Sequence, residues 1–415
     1  MRNLLAITII YLFISDNLNG QDDFLSLDRK SYEYYLNGDY KNLKITGEKL
    51  LSSGTDYYYL RMRLGILSYN KQLYSTAFRH FNKAIEFNSL DTISREYIYF
   101  SYLFSGRKTE ANILLNSMPM NTRTRIIKTT GNPGLAEFYI VSTAAFYDVT
   151  LYSYNNLYYE SVKNSLNISG GFQGNLSDRI RLNLTFTNFR KAGTIYDSSV
   201  PTGKEFNFNQ NQIYLKLTGM AFSNWELSGF GHAAFYNPVY DPGQLNTELL
   251  MGIGISNIGW KLRTGANFSF SNFGASNQIR GEGYFTYLPS GNLNIYFTTG
   301  GMYQADNNWG NTYQINQEIG FRLLKSLWFE TGLVKGNSFL YARNQGSMID
   351  NSFQSPATII YGNIIVVPWK KFAITISPFY IENANYSWDL NAYTRVARLD
   401  HSSFGGTLKL TYKNR

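Results

Sequence analysis

The chain has 415 residues, a formal net charge of +9 and no cysteine, with 17% aromatic and 16% charged residues. This composition is too aromatic for a disordered chain and too polar for a membrane protein built from helices. The lack of cysteine excludes a disulfide scaffold, a thiol nucleophile and a cysteine-ligated zinc site. Because the basic residues form no dense run, nucleic acid is a poor candidate partner.

The amino terminus has the pattern of a secretory signal peptide. Arg2 precedes an apolar run over residues 4–14, and small or polar residues follow up to Gln21. Such a run is too short to cross a membrane as a helix, so we predict an exported protein whose signal peptide covers residues 1–20. The alternative is a buried N-terminal helix.

Residues 28–120 show a helical period and few turn dipeptides. Within them, residues 63–89 resemble one 34-residue tetratricopeptide repeat, and a shift by one repeat length in either direction gives a weaker match. We therefore predict about three such repeats over residues 21–130; a generic bundle of helical hairpins is the alternative. The small and large residues that would pack the central repeat are Leu64, Gly65, Tyr74, Ala77, Phe81 and Ala84.

The repeat resemblance implies a concave groove that binds a partner protein. The positions that would line this groove carry aromatic, apolar and polar side chains, which suit either an interface or packing within the domain. Both interpretations stay open at this point. The implied groove residues are Tyr59, Met62, Ile66, Tyr69, Asn70 and Glu96.

A cluster of turn residues at 129–134 ends the helical zone, and we place a linker at residues 131–136. From residue 137 to 415 the pattern consists of strands only. We predict fourteen strands, or twelve as the fallback, and an even number suits a closed bacterial barrel. The expected strands lie near 138–151, 158–172, 180–189, 206–219, 225–236, 245–255, 260–270, 279–287, 293–304, 312–323, 327–335, 357–367, 372–385 and 403–413.

The links between these strands alternate between short and long. Transmembrane barrels have this property because their periplasmic turns are short and their outer loops are long, whereas a soluble sandwich does not sort its loops in this way. The predicted short turns are 220–224, 256–259, 289–292, 324–326 and 368–371. The predicted long links are 190–205, 237–244, 271–278, 305–311, 336–356 and 386–402.

All six tryptophans fall at or next to these predicted links. A tryptophan ring is amphipathic and concentrates at the boundary between lipid and water. We therefore predict membrane-interface positions for Trp225, Trp260, Trp309, Trp328, Trp369 and Trp388.

Strict alternation marks the strands, as in RIRLNLTFTNF at residues 179–189, but it leaves open which face is inside. The strand at 260–270 resolves the question, because its polar row contains both Lys261 and Arg263. Two charges in a dry core would be very unfavourable without partners, while a wet lumen accommodates them. The apolar rows are therefore predicted to face lipid.

The last strand, 403–413, resembles the assembly signal that outer-membrane barrels present to the barrel-assembly machinery, although the chain ends in Lys-Asn-Arg instead of an aromatic residue. A helical-repeat segment followed by such a barrel resembles the YaiO-like barrel family and, more distantly, polysaccharide-export porins. The resemblance implies an outer-membrane location, with the repeats in the periplasm. The residues that carry the assembly signal are Gly405, Leu408, Leu410 and Tyr412.

No catalytic or metal-binding motif appears, and we predict no catalytic residue, no metal and no cofactor. His80 falls in a repeat helix and His401 in the last long link. His232 shares a strand face with Glu226 and Ser228, yet Ser228 is about 13 Å away along the strand, too far for a direct hydrogen bond.

The first functional hypothesis is a non-enzymatic outer-membrane barrel. It contacts membrane lipids, and its periplasmic repeats bind a partner protein in a secretion, assembly or envelope complex. The second is a channel that exports a glycan or a small solute, and the third is an enzyme that modifies lipid or glycan. Because the charges of the barrel are nearly balanced, the sequence favours the first hypothesis over a conduit for a charged polymer.

Overall fold

The computed structural model describes residues 23–130, 137–147, 159–197, 200–237, 245–273, 276–308, 310–337, 341–343, 348–350, 356–369, 371–389 and 394–413. The predicted signal peptide and the predicted linker lie outside these residues. The chain divides into two compact units, one formed by Met1–Ile126 with Ser290–Asn292 and one by Ile127–Pro289 with Leu293–Arg415. Within the described residues, every helix is too short or too polar to cross a membrane.

Seven helices lie in the described part of the chain before the first strand. Helices α2, α4 and α6 begin at Tyr40, Tyr74 and Lys108, at equal intervals along the chain, and the same interval separates the starts of α3 and α5. The helices thus come in pairs whose spacing equals the length of one tetratricopeptide repeat. Their bounds are α1 23–36, α2 Tyr40–Ser52, α3 Tyr58–Asn70, α4 Tyr74–Phe87, α5 Thr92–Phe104, α6 Lys108–Ser117 and α7 Met120–Thr130.

The turn inside each helix pair uses a left-handed backbone at the same repeat position. Gly38, Gln72 and Gly106 have φ values of 69°, 59° and 74° and follow one another at the same interval as the helices. Glycine adopts this conformation without steric cost, whereas glutamine does not. The middle turn therefore carries backbone strain that the other two avoid.

The core of the helical unit lies between the paired helices. Leu64, Ala77, Phe81 and Ala84 are buried, as the repeat pattern predicts. Gly65 is also buried, and a Cβ atom there would lie 2.7 Å from the Phe81 ring, so glycine is what lets α3 and α4 approach. In contrast to these positions, Tyr74 is only half-buried.

The second part of the chain is a closed barrel of fourteen antiparallel strands in sequence order. The first strand pairs with the last, with Glu137 opposite Lys413, so the ladder has no free edge. The predicted count of fourteen is confirmed. The barrel strands are β1 Glu137–Tyr147, β2 Tyr159–Asn175, β3 Ile180–Asp197, β4 Val200–Phe222, β5 Trp225–Tyr236, β6 Asn246–Ile258, β7 Leu262–Ser271, β8 Gln278–Tyr287, β9 Ile295–Asp306, β10 Thr312–Leu324, β11 Leu327–Asn337, β14 Pro356–Trp369, β15 Phe372–Asp389 and β16 Thr394–Lys413; a separate hairpin, β12 Tyr341–Arg343 with β13 Met348–Asp350, lies between β11 and β14.

Two predicted long links are wrong, because much of their length is strand. β3 continues to Asp197 and β4 starts at Val200, so the expected link at 190–205 is the end of a long hairpin. In the same way, β15 continues to Asp389 and β16 begins at Thr394, so most of the expected link at 386–402 is strand. These two hairpins lengthen the wall on the side opposite the short turns.

The apolar rows of the strands face outward, as predicted. Phe268 and Phe270 on β7 are half exposed on the outer surface, while Arg263 on the same strand lines an internal cavity. An exposed apolar belt around a closed barrel with a polar interior is the arrangement of an outer-membrane protein in lipid. The chain is therefore an outer-membrane β-barrel with a helical segment before it.

Strands β3 and β4 exchange the character of their two faces near their shared outer end. The outward row is apolar up to Phe186 and polar from Asn188, whose side-chain amide donates to Asn209 (2.8 Å) and Asn211 (2.9 Å). The inward row becomes apolar over the same stretch, where a cluster is buried. This exchange marks the level at which the outer surface leaves lipid and meets water. The buried inner cluster consists of Val162, Phe189, Ile195, Phe206 and Phe208.

Candidate functional site in the barrel lumen

Two adjoining cavities of about 630 Å³ each lie inside the barrel. The first reaches the short-turn end, where Ser256 and Asn257 line it, and the second lies further along the bore. Asn267, Tyr284 and Thr298 line both cavities, so the two are neighbours. This is the volume expected of a site for a small solute.

One wall of the lumen carries two carboxylates that are held by tyrosines. The Tyr361 hydroxyl donates to Glu318 Oε2 at 2.6 Å, and the Tyr296 hydroxyl donates to Glu330. Asn363 adds a second donor to Glu330, at 2.8 Å. These bonds fix both carboxylates against the strands β9, β10, β11 and β14.

Glycines on the neighbouring strands make room for the two tyrosine rings. A Cβ atom at Gly320 would lie 2.2 Å from the Tyr296 ring, and one at Gly332 would lie 2.4 Å from the Tyr361 ring. Each ring therefore lies flat on the backbone of the next strand instead of projecting across the bore. An aromatic ring that covers a strand glycine in this way stabilises the sheet and leaves the lumen open.

The opposite wall is rich in basic residues. Arg181 donates to Glu226 at 2.7 Å, and Lys216 lines the same cavity. Arg263 on β7 and Lys413 on β16 line this cavity from its two sides, between the two walls. A wet lumen explains how several cations can share one cavity, because water and the nearby carboxylate offset their repulsion.

Inward side chains near the long-link end are almost completely buried, in contrast to those around the two cavities. Each of the polar residues in this group is less than 5% exposed. None of these residues lines either of the two described cavities, so we call this group the closed level of the barrel. The group contains Gln210, Gln212, His232, Glu248, Gln278, Gln304, Asn383 and Ser403.

His232 belongs to this closed level, and its ring centroid lies 5.8 Å from that of Tyr214. Ser228, by contrast, lines the first cavity. The described contacts do not bring these two residues together as a nucleophile and a base. His401 pairs across the ladder with Asn383 and packs near Tyr147.

The six predicted groove residues occupy different environments on the helical unit. Tyr59 is 65% exposed, and Asn70 is exposed and donates to the Tyr40 hydroxyl at 3.0 Å. Glu96 is half-buried and forms an ion pair with Arg125. The other three are half-buried and pack against the cluster of Ala77, Phe81 and Ile98; they are Met62, Ile66 and Tyr69.

His80 belongs to a polar network on the same unit. Arg61 forms two bonds to Asp56, at 2.6 and 2.7 Å, and its Nη1 lies 3.2 Å from His80 Nδ1. Burial, reinforced by the positive charge of Arg61, lowers the pKa of His80 to about 4. The ring is therefore neutral at pH 7 and accepts the bond from Arg61 at Nδ1.

The four tryptophans whose side chains are described lie in different environments. Trp369 is exposed and packs edge-on against Phe372, and Trp225 packs near Phe222, both at short turns. Trp260 is half-buried beside a short turn. Trp328, in contrast, lines the first cavity. Trp309 and the side chain of Trp388 lie outside the described residues.

Trp328 faces the lumen because its row on β11 is the inward one, shared with Glu330. The guanidinium of Arg322 lies 4.8 Å from its ring centroid, a cation–π contact. The row that contains Trp328 alternates with the exposed row that contains Leu333, and this alternation determines that its ring points inward.

The residues of the predicted assembly signal lie on both faces of β16. Leu408 and Leu410 are exposed on the outer surface, and the Tyr412 ring lies 5.1 Å from that of Phe372. Gly405 faces inward, where a Cβ atom would lie 2.5 Å from the Phe379 ring. This is a further case of an aromatic ring over a glycine.

Sequence reasoning missed the carboxylate wall and the glycines behind it. Tyr296, Glu318, Glu330 and Tyr361 come from four strands, so no local motif joins them. Two features of the sequence could have indicated this wall: each residue belongs to the inward-facing row of its strand, and a glycine lies on the neighbouring strand. Neither can be used until the register between strands is known.

No protein-family model matches the sequence, and the comparison with curated proteins finds no match either. Solved structures are similar in fold. A FadL homologue from Pseudomonas aeruginosa has 9% identity and a TM-score of 0.44, over 67% of this chain and 90% of that chain. The toluene transporter TodX from Pseudomonas putida has 7% identity and a TM-score of 0.46, over 72% and 92%.

A third similar structure is described as a bacterial polysaccharide outer membrane secretin. It has 11% identity and a TM-score of 0.39, over 68% of this chain and 99% of that chain. At these identities the likeness concerns the barrel fold, and the substrates are those of the other proteins.

Proposed function

We propose that this protein is an outer-membrane channel that admits small hydrophilic solutes into its lumen. The observation that carries the proposal is the pair of adjoining cavities, whose walls carry charged and hydrogen-bonding side chains among apolar ones. A barrel that served only as an anchor would need no such volume. The flat tyrosine rings over Gly320 and Gly332 support the same function, because they keep side chains out of the bore.

Conduction through the whole barrel requires the level around Gln210, His232 and Gln304 to open, since these side chains are buried. We therefore expect intermittent openings of modest size instead of a permanently open pore. Single-channel recording of the purified full-length protein in planar bilayers tests this expectation. A complete lack of openings, together with no solute entry in liposome swelling, would overturn the channel proposal.

A pair of neighbouring residues on β7 supplies matched variants. Asn267 lines both cavities, while Phe268 is exposed on the outer surface. Asn267→Trp should fill the space where the cavities meet and reduce conductance several-fold. Phe268→Trp should leave conductance unchanged, because a second aromatic ring suits the lipid-facing surface. Equal effects of the two substitutions would contradict the proposed path.

The second candidate function is partner binding by the helical unit. We propose that α1–α6 are tetratricopeptide-like repeats in the periplasm; the regular spacing of helices and turns supports this relation. The chain enters β1 at Glu137, at the short-turn end, and short turns of bacterial barrels face the periplasm. The order of repeats and barrel is also the basis on which we propose a relation to YaiO-like barrels.

Tyr59 offers the sharpest test of partner binding, because it is an aromatic groove residue with 65% of its surface exposed. Tyr59→Ala should release a partner that co-purifies with the wild-type protein in mild detergent. Lys44→Ala, at an exposed position on α2, should retain it. A partner that stays bound to both variants, or to neither, would contradict the groove assignment.

A further inference from the structure

The charges around the cavities are separated across the bore. The barrel has fourteen strands, so strands seven places apart lie opposite each other. Lys216 on β4 and Glu330 on β11 are seven places apart and line the same cavity. Arg181 on β3 and Glu318 on β10 are also seven places apart, at the first and second cavity respectively.

The charged side chains that line the cavities differ between the two walls. Arg181 on β3 and Lys216 on β4 line the first cavity opposite the carboxylates, together with Glu226 on β5. Arg263 on β7 and Lys413 on β16 line it from the two sides between the walls, because their strands are themselves seven places apart.

On β9, β10, β11, β14 and β15, the described residues that line the two cavities include Glu318 and Glu330 and no basic residue. Arg322 on β10 lies over the Trp328 ring at the short turn, where its guanidinium donates to the carbonyls of Leu324 and Lys325. Between the walls, Arg280 and Glu282 on β8 form an ion pair that adds no net charge.

The carboxylates are held in place before any solute arrives. Tyr361, Tyr296 and Asn363 donate hydrogen bonds to them, and the two tyrosine rings rest on glycine backbone. Fixed charges of this kind do not have to reorganise when a solute enters. The lumen thus places charges of opposite sign on opposite sides of the bore, a pattern that produces an electric field across it.

We infer that the lumen site selects small zwitterionic solutes, which carry a cation and an anion in one molecule; this inference rests on the proposed channel function. A zwitterion can place its anion toward the basic wall and its cation toward Glu318 and Glu330. A singly charged solute is attracted by one wall and repelled by the other. A neutral solute of the same size gains nothing from the field.

Four end-group forms of triglycine test this inference at nearly constant size. The free peptide is a zwitterion, the N-acetyl form is an anion, the C-terminal amide is a cation, and the doubly blocked form is neutral. Their residence times are measured as interruptions of single-channel current through the full-length protein in planar bilayers. We expect the free peptide to stay about tenfold longer than the doubly blocked form, as charge complementarity at both walls implies.

Charge-neutral variants separate the two walls. Glu330→Gln and Lys216→Gln should each shorten the residence of the free peptide several-fold and leave that of the doubly blocked peptide unchanged. Glu205→Gln is the control, since Glu205 is exposed outside the lumen, where it pairs with Lys163 at 3.0 Å. This control changes the net charge of the protein as Glu330→Gln does, without changing the lumen.

The outcomes distinguish the inference from the channel proposal. Equal residence of all four forms in a conducting barrel would overturn the inference and leave the channel intact. Longest residence of the N-acetyl form would also overturn it, in favour of an anion site at the basic wall. If the barrel does not conduct, the channel proposal fails, and binding of the four peptides is measured by calorimetry on the detergent-solubilised protein; tighter binding of the free form supports the inference and equal binding overturns it.

Discussion

The helical unit and the barrel bury opposite kinds of side chain. In the helical unit Phe81 and Ala77 are fully buried, and the ion pair between Lys44 and Glu48 lies on the surface. In the barrel Ile253 is 68% exposed, and the ion pair between Arg181 and Glu226 faces inward. The same physical rule acts in both regions, because apolar groups avoid water wherever the water is. The periodicity of a helix or the alternation of a strand therefore identifies its apolar face. Whether that face points to the protein interior or outward depends on whether the surroundings are water or lipid.

The hairpin of β3 and β4 contains both arrangements in one element. On the short-turn side of Asn188 the apolar row of the hairpin faces outward. On the other side of Asn188 its apolar residues face inward and join the buried cluster that contains Phe189 and Phe208. Lys191, on the inward row, is buried with its Nζ 4.9 Å from the Phe208 ring centroid. The change within a few residues shows that a single strand passes from lipid into water.

Removing a phenylalanine ring should have different costs in the two regions. Phe81→Ala leaves a cavity in a packed core, so we expect it to lower the stability of the helical unit by about 3–5 kcal/mol. Phe268→Ala loses only transfer from water to lipid, roughly 1.5–3 kcal/mol, because acyl chains fill the space. Urea titration of the protein in liposomes measures both, with helical circular dichroism for one unit and the gel-mobility shift for the other. A larger loss for Phe268→Ala would contradict the comparison.

Glycines on the two faces of the barrel should respond differently to substitution. Gly332→Ala pushes Tyr361 off the wall and breaks its bond to Glu318, which should cost about 1–3 kcal/mol. Gly281→Ala should be neutral or stabilise by roughly 0.5–1 kcal/mol, because no atom lies within 4 Å of the new Cβ and alanine restricts the unfolded chain. The same urea titration separates the two. Equal losses would mean that the tyrosine contact is not what the inward glycine provides.

The helical unit should lose stability in mild acid, whereas its His80→Gln variant should lose less. The pKa of His80 is lowered to about 4 in the folded unit, below the value of about 6.5 in an unfolded chain, so below pH 6.5 the unfolded state binds the proton first. Stability is complete above pH 6.5 and falls down to about pH 4. Thermal unfolding of the helices in the full-length protein, compared at pH 7.5 and pH 5, should show a loss of about 1–2 kcal/mol. A pH profile that is the same in His80→Gln would exclude His80 as its source.

The smallest expected effect concerns the middle turn of the helical unit. Gln72→Gly removes the strain of a left-handed backbone at φ 59° and should raise stability by about 0.5–1 kcal/mol. Gln72→Ala keeps the strain and should give no gain. Thermal unfolding of both variants checks this difference. A gain from alanine equal to that from glycine would show that the side chain, and not the backbone, is responsible.

Much of the fold can be predicted from the sequence because alternation and the repeat spacing are local signals. The fourteen strands, the outward apolar rows and the buried Phe81 and Ala84 follow from them. The extension of the β3–β4 hairpin through residues 190–205 was missed because its Lys, Gly, Asp, Ser and Pro residues are typical of a loop. Ile195 in this stretch, which packs with Phe206 and Phe208, becomes informative only when the faces are known to exchange.

The lumen site was out of reach for a different reason. Glu318 lies on β10 and Tyr361 on β14, and β11 and the β12–β13 hairpin come between these strands in the chain. Their contact depends on register, and the opposition of Lys216 to Glu330 depends on the number of strands between them. Both are properties of the closed barrel, and a single strand does not contain them.

The central claim is that apolar rows face lipid while polar rows enclose the bore, with an exchange of faces beyond Phe186. Because the chain has no cysteine, single cysteines at each position from 180 to 191 can carry spin labels in liposomes. Contact with oxygen, which dissolves in lipid, and with a water-soluble nickel complex is then measured for each label. We predict the highest oxygen contact at positions 180, 182, 184 and 186, and contact with nickel instead at 188 and 190. Low contact with both reagents at 180–186 would indicate a packed protein interior on that face and would contradict the account.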